Sequence, residues 1–178
     1  MTKFPRLQIW LHWLTLLLIV VTYAAMEFRG IFPKGSASYL AMRETHYNAG
    51  IFTWILMFVR LNLHRKYHTP EIIPSPPAWQ KQAAKVMHIV LYATFLLLPL
   101  LGIAIMISGG KYWSFLGMSV PVLISPDHEI KSVLEGIHET LANAGYFFIA
   151  AHAVAALFHH YIQRDNTLIR MLPGHINR

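Results

Sequence analysis

The chain has 178 residues, of which 55% are hydrophobic and only 13% are charged; it has a formal net charge of +7, eleven histidines and no cysteine. This charged fraction is about half the usual share of a soluble domain, which favours a membrane protein. The absence of cysteine excludes disulfides, thiolate-bound iron–sulfur clusters and cysteine-bound zinc.

Two apolar segments in the first half of the chain are predicted to be helices. Residues 7–26 carry no charge and are long enough to span a bilayer. A secretory signal peptide is the alternative for this segment, but its apolar core would be shorter. A second helix is predicted over residues 45–63, where Arg60 must reach the membrane interface by snorkelling if the helix spans.

Two more helices are predicted in the second half, over residues 83–108 and about 136–163. Pro99 lies inside the third and should kink it, which membrane helices tolerate. The sequence therefore predicts an all-α protein, with residues 1–178 forming one integral membrane domain built as a four-transmembrane-helix bundle.

The distribution of positive charge predicts the orientation of this bundle. Ten of the fifteen Lys and Arg residues lie at the two termini and around the connector between helices two and three. Because positive charge marks the cytoplasmic side, both termini are expected in the cytoplasm. The net charge of +7 is then a signature of topology, and a nucleic-acid partner is not expected.

The fourth helix carries two histidines on one face. His138 and His152 are separated by roughly 21 Å along a helix axis, most of a hydrocarbon core about 30 Å thick. Ala142, Gly145 and Ala156 share that face, and their small side chains would leave room for flat cofactors. This layout suits two ring cofactors stacked along the membrane normal, and imidazole is a common axial ligand of haem iron.

Histidines on the other helices match these two by depth. His46 lies at the outer end of helix two, at the level of His138, and His12 lies near the inner end of helix one, at the level of His152. The sequence therefore predicts an outer haem site, His46 with His138, and an inner haem site, His12 with His152. His88 on helix three competes with His12 for the inner site, or it could face a quinone or a propionate.

Several long strings of the sequence resemble the bacterial cytochrome b561 family, and within it the superoxide oxidase-like members. The matching strings include RLQIWLHW (6–13), AMEFRGIFP (25–33), TPEIIPSPP (69–77), HETLANAGYF (138–147), HAVAALFHHY (152–161) and DNTLIRMLP (165–173). The resemblance implies a multi-pass protein of the bacterial inner membrane that holds two haem b groups and exchanges electrons with ubiquinone. It implies the same four haem ligands: His12, His46, His138 and His152.

The resemblance also suggests an activity, oxidation of periplasmic superoxide to O₂ coupled to ubiquinone reduction. Basic residues near the outer helix ends could guide the anion to the outer haem edge: Arg29, Lys34, Arg43 and Lys111. His88 and His159 are the candidates for an inner quinone site, although His159 could equally be a residue that only anchors the interface.

Two other functions remain open at this point. The chain could be a cytochrome b anchor subunit that passes electrons between a partner dehydrogenase or hydrogenase and quinone. It could also be a transporter or structural protein without redox chemistry, with histidines in a polar core. Hydrolysis and nucleotide chemistry have no support, because the sequence has neither a catalytic triad pattern nor a phosphate-binding loop.

Overall fold

Four long helices dominate the computed structural model, which describes residues 3–110, 112–122 and 125–174. They are α1 (Arg6–Arg29), α2 (Ala37–Lys66), α3 (Ala78–Ser108) and α4 (His128–Phe158). A short antiparallel hairpin, β1 (Trp113–Phe115) and β2 (Met118–Val120), lies between α3 and α4. The predicted all-α class is confirmed.

Three of these helices are long and apolar enough to cross a membrane: α1, α3 and α4 with its π-helical continuation to Gln163. Helix α2 is less apolar because charged side chains lie near both of its ends, among them Arg43, Glu44, Arg65 and Lys66.

Helices α2 and α4 each begin eight residues before the predicted position. The hydroxyl of Ser36 accepts a hydrogen bond from Tyr39 N (3.2 Å) at the start of α2. The carboxylate of Asp127 accepts from Glu129 N and Ile130 N at the start of α4. The prediction followed the uncharged residues alone, whereas side-chain caps let each helix begin in polar sequence.

The helices run antiparallel, with α1 packed mainly against α2, and α3 against α4. Gln8 Nε2 near the start of α1 donates to Leu63 O near the end of α2 (3.0 Å). Trp54 Nε1 on α2 donates to Leu96 O on α3 (3.1 Å). This up-and-down arrangement places the first half of α4 beside the ends of α1 and α3.

A buried apolar cluster fills the middle of the bundle. Its buried members come from α1, α2 and α3: Ile19, Met57, Phe95 and Leu98. Side chains of α4, including Leu141 and Ile149, pack against this cluster. The core therefore separates one end of the bundle from the other.

The C-terminal segment folds back onto the beginning of α1. Trp13 Nε1 donates to Met171 O (2.7 Å), and Phe4 N donates to Arg170 O (3.2 Å). The chain after α4 thus closes the same end of the bundle at which α1 begins.

Candidate functional site

The outer pair, His46 on α2 and His138 on α4, meets at one end of the bundle. The two ring centroids are 6.3 Å apart, and the ring planes are inclined by 70°. His46 Nδ1 lies 2.9 Å from Thr22 O. Since a carbonyl oxygen only accepts, Nδ1 carries the proton, which leaves Nε2 unprotonated and able to bind a metal.

The spacing of the outer pair fits one metal ion held between two imidazoles. Two such rings have centroids roughly 6 Å apart, because each metal–nitrogen bond is about 2.0 Å and each nitrogen lies about 1.1 Å from its ring centre. Among the described residues no three His, Asp or Glu side chains cluster into a metal site. A metal held here by two imidazoles would need a cofactor to supply its remaining ligands, as haem does.

A cavity of about 570 Å³ lies beside the outer pair, within the size range of small-molecule sites. It is lined by both histidines and by two glycines, Gly50 and Gly102. A methyl group at Gly102 would lie 3.6 Å from His138 Cε1, and one at Gly50 would meet only Thr22, at 4.0 Å. The glycines therefore leave the space around the imidazoles open.

The inner pair meets at the opposite end of the bundle, together with His88. The centroids of His12 and His152 are 6.2 Å apart, and those of His88 and His152 are 5.4 Å apart. The structure thus brings both candidate partners of His152 into one cluster on three helices. The separation of 6.2 Å matches the spacing at the outer pair, whereas 5.4 Å is shorter.

Arg60 lies in this inner cluster, where its side chain contacts groups on α1 and α3. Its Nη2 donates to His12 Nδ1 (3.0 Å), and its guanidinium lies 5.9 Å from the ring centroid of Tyr92. Sequence reasoning treated Arg60 only as a charge that would disfavour a membrane-spanning helix. It therefore missed a cationic group beside a predicted ligand.

The predicted cofactor slot at Gly145 is filled by a side chain of the protein. A methyl group at this buried glycine would lie 2.4 Å from Tyr23 Oη. Tyr23 Oη donates to Ala142 O (2.9 Å), and its ring lies edge-on to Tyr146. The side chain of Tyr23 on α1 therefore packs against the small residues of this part of α4. No sequence pattern indicated this contact.

His159 follows α4 directly, and its side chain contacts Asp165 in the C-terminal segment. Its Nδ1 lies 2.5 Å from Asp165 Oδ2, and Asp165 Oδ1 accepts from Thr167 N (2.8 Å). Burial acts to raise the pKa of Asp165, but the hydrogen bonds from His159 and Thr167 outweigh it and hold this pKa below its usual value. Asp165 was not singled out from the sequence.

Three of the four predicted anion guides lie in the part of the chain that the structure describes, and their surroundings differ. Arg29 lines the outer cavity, with its guanidinium 5.2 Å from the ring centroid of Tyr39. Arg43 pairs with Glu44 (3.5 Å), and Lys34 is exposed on the connector. The fourth guide, Lys111, lies outside the described residues.

Acidic side chains also line the outer cavity: Glu27, Glu135 and Glu139. Glu27 accepts a hydrogen bond from Tyr146 Oη (2.8 Å), and Glu135 pairs with Lys131 (2.6 Å). The lining of this cavity therefore holds three carboxylates and one guanidinium, besides the two histidines.

Comparison with known proteins places the chain among membrane cytochromes. The family model described as prokaryotic cytochrome b561 matches residues 3–174. The chain is 64% identical to cytochrome b561 homolog 1 of Escherichia coli (strain K12), over 97% of the chain and 98% of that protein. It is 39% identical to the probable superoxide oxidase CybB of Yersinia pestis, over 96% of both chains. It is also 29% identical to cytochrome b562 of Cereibacter sphaeroides, over 95% of the chain.

Proposed function

The chain belongs to the prokaryotic cytochrome b561 family of electron-transfer proteins, as the sequence resemblance predicted, and we propose that it oxidises superoxide and reduces ubiquinone. In this proposal four helices cross the bacterial inner membrane with both termini in the cytoplasm. His46 and His138 hold an outer haem b, and His12 and His152 hold an inner one.

The observation that carries this proposal is the equal spacing of two histidine pairs at opposite ends of the bundle, 6.3 Å and 6.2 Å. Haem b, when bound, supplies reversible one-electron chemistry. The protein's part is to fix and orient the imidazoles. Thr22 O does this for His46 by accepting a hydrogen bond from Nδ1–H, which leaves Nε2 unprotonated.

The proposed reaction consumes two superoxide anions for each ubiquinone that is reduced. Two superoxide anions each give up one electron and leave as O₂, and these two electrons with two protons convert ubiquinone to ubiquinol. The printed name of the Yersinia pestis relative supports superoxide as the donor. Arg29 in the lining of the outer cavity would attract the anion.

Reduction of the quinone needs a hydrogen-bond or proton donor on the cytoplasmic side. His88 is the better placed candidate, because it lies in the inner cluster 5.4 Å from His152. His159 is the second, but its Nδ1 is already engaged by Asp165. We therefore assign His88 the contact with the quinone and His159 the anchoring of the C-terminal segment.

One observation favours a second candidate function, that of a cytochrome b anchor subunit. The outer cavity is lined by three carboxylates and by Arg29, and carboxylates repel an anionic donor. Electrons delivered by a docked dehydrogenase or hydrogenase would not meet this repulsion. In that case the purified chain would be reduced by its partner and only slowly by superoxide.

The deciding experiment combines haem analysis with a superoxide pulse. Purified protein would be assayed for haem per chain as the pyridine haemochrome, and then mixed with superoxide in a stopped-flow spectrometer with ubiquinone present. We expect two haem b per chain, rapid haem reduction and ubiquinol formation. His128→Ala, a change at an exposed histidine at the start of α4, is the matched control and should behave as the wild type.

Each alternative gives a different result in this experiment. Two haems that superoxide reduces no faster than a slow background would favour the anchor subunit. A colourless protein would exclude both redox functions and favour the transporter or structural alternative.

A further inference from the structure

Arg60 is a partly buried cation in the interior of α2 without an acidic partner. Its closest polar contacts are His12 Nδ1 (3.0 Å) and Met57 Sδ (3.9 Å), and the ring of Tyr92 lies nearby. Among the described residues, which include every Asp and Glu of the sequence, none forms an ion pair with Arg60. None of these contacts carries a negative charge.

A guanidinium removed from bulk water is normally compensated by an anion or by a full set of acceptors. An imidazole nitrogen and a thioether, of which the thioether is weak, provide only two acceptors for the five N–H groups of arginine. Within the proposed membrane span the cost of this arrangement is greater still. The surroundings of Arg60 therefore call for an anion that the protein chain does not supply.

The hydrogen bond to His12 also conflicts with metal binding by that residue. A guanidinium can only donate, so Nδ1 of His12 must accept, and the proton of the neutral ring then lies on Nε2. His12 can bind iron through Nε2 only when the proton is on Nδ1. Arg60 must then turn to another acceptor, because two donors cannot share a hydrogen bond.

We propose that this acceptor is a carboxylate of the tetrapyrrole at the inner pair, so that Arg60 is a binding residue for a haem propionate. The inference rests on the proposed function, because it requires haem between His12 and His152. A guanidinium matches a carboxylate through two parallel hydrogen bonds. Binding of the propionate would also release His12 Nδ1, which couples occupancy of the site to the tautomer that binds iron.

The test measures how fast each haem leaves the intact protein. Holoprotein would be mixed with excess apomyoglobin as a haem acceptor, and transfer would be followed in the Soret band. The variants are Arg60→Gln and, as the matched control, Arg65→Gln at an exposed arginine later in the same helix. His12→Ala and His46→Ala, each expected to retain one haem, assign the two release phases.

In Arg60→Gln we expect the inner haem to leave at least about tenfold faster, the loss typical of one charge-assisted pair. The outer haem should leave at the wild-type rate, which shows that the bundle is intact. A second arm loads the full chain with haem whose two carboxylates are methyl esters. Esterification should accelerate inner release in the wild type and have no further effect in Arg60→Gln.

Three results would overturn the assignment: unchanged inner release in Arg60→Gln, equal acceleration of both haems, or effects of substitution and esterification that simply multiply. The last would mean that Arg60 and the carboxylates act independently. A wild-type protein that binds no haem would instead refute the proposed function, so the two failures are distinguishable.

Discussion

The contact between Gly145 and Tyr23 gives the sharpest test of how α1 holds α4. A Cβ atom at position 145 would lie 2.4 Å from Tyr23 Oη, well inside van der Waals contact. Tyr23 cannot move aside freely, because its hydroxyl donates to Ala142 O and its ring packs edge-on against Tyr146 at 4.6 Å. Gly145→Ala should therefore displace the tyrosine.

The change in the free energy of unfolding follows from two destabilising contributions and one stabilising contribution. Overpacking costs about 1–3 kcal/mol, and the lost hydrogen bond costs about 1 kcal/mol. Alanine is favoured over glycine within a helix by about 1 kcal/mol. We expect Gly145→Ala to lower the free energy of unfolding by about 2 kcal/mol in total.

Removal of the hydroxyl should rescue this loss. In the double variant Gly145→Ala/Tyr23→Phe the nearest remaining ring atom would be Cζ at 3.6 Å, an ordinary contact. The double variant should therefore be more stable than Gly145→Ala alone. The assay is equilibrium unfolding in mixed detergent and dodecyl sulfate micelles, followed by circular dichroism.

Gly136→Ala is the matched control, because a methyl group at that position of α4 meets nothing within 4 Å. It should stabilise the protein by up to about 1 kcal/mol through helix propensity alone. The steric reasoning is refuted if Gly145→Ala is as stable as the wild type. It is refuted as well if the two substitutions are additive in the double variant.

Three further predictions concern the ends of the bundle. His46→Ala and His12→Ala should each reduce the haem content from two per chain to one, measured as the pyridine haemochrome; loss of both haems in either variant would contradict two separate sites. Because the folded-state pKa of Asp165 is lowered, its stabilising effect should be complete above the ordinary carboxyl pKa of about 4 and should disappear as the pH falls through the lower folded value. The protection factor of the Thr167 amide, which corrects for the intrinsic pH dependence of exchange, should then fall in acid, and Asp165→Asn should make it independent of pH in this range. Arg29→Gln should slow haem reduction by superoxide several-fold and flatten its decrease with salt; an unchanged rate and salt dependence would exclude steering by Arg29.

The existence of the four helices could be predicted from the sequence because uncharged stretches of sufficient length have few alternatives. The starts of α2 and α4 could not, since residues 37–44 and 128–135 contain charged side chains and the capping groups Ser36 and Asp127 lie upstream of the uncharged stretches. The hairpin Trp113–Val120 was missed for a related reason. Its strands have three residues each, too few to show a periodicity.

The outer pair was accessible to sequence reasoning because depth alone selected its members. His46 and His138 are the only two histidines that the sequence places near that level inside the helices, and the structure brings their rings to 6.3 Å. Depth says nothing, however, about the side chains that surround a site. The acidic lining of the cavity and the position of Tyr23 depend on how each helix is rotated about its axis, which packing determines.

The same limit explains why the sequence predicted His12 as the inner ligand but kept His88 as its competitor. Both lie at the level of His152, so depth along the membrane normal does not by itself distinguish them. The structure adds distances to this argument. The ring centroids of His12 and His152 are 6.2 Å apart, close to the separation of roughly 6 Å for two imidazoles on one metal ion, and those of His88 and His152 are 5.4 Å apart. A centroid separation of 5.4 Å is shorter than the roughly 6 Å that two imidazoles bound to one metal ion would have. The spacing therefore supports the proposal that His12, rather than His88, is the second ligand of the inner haem.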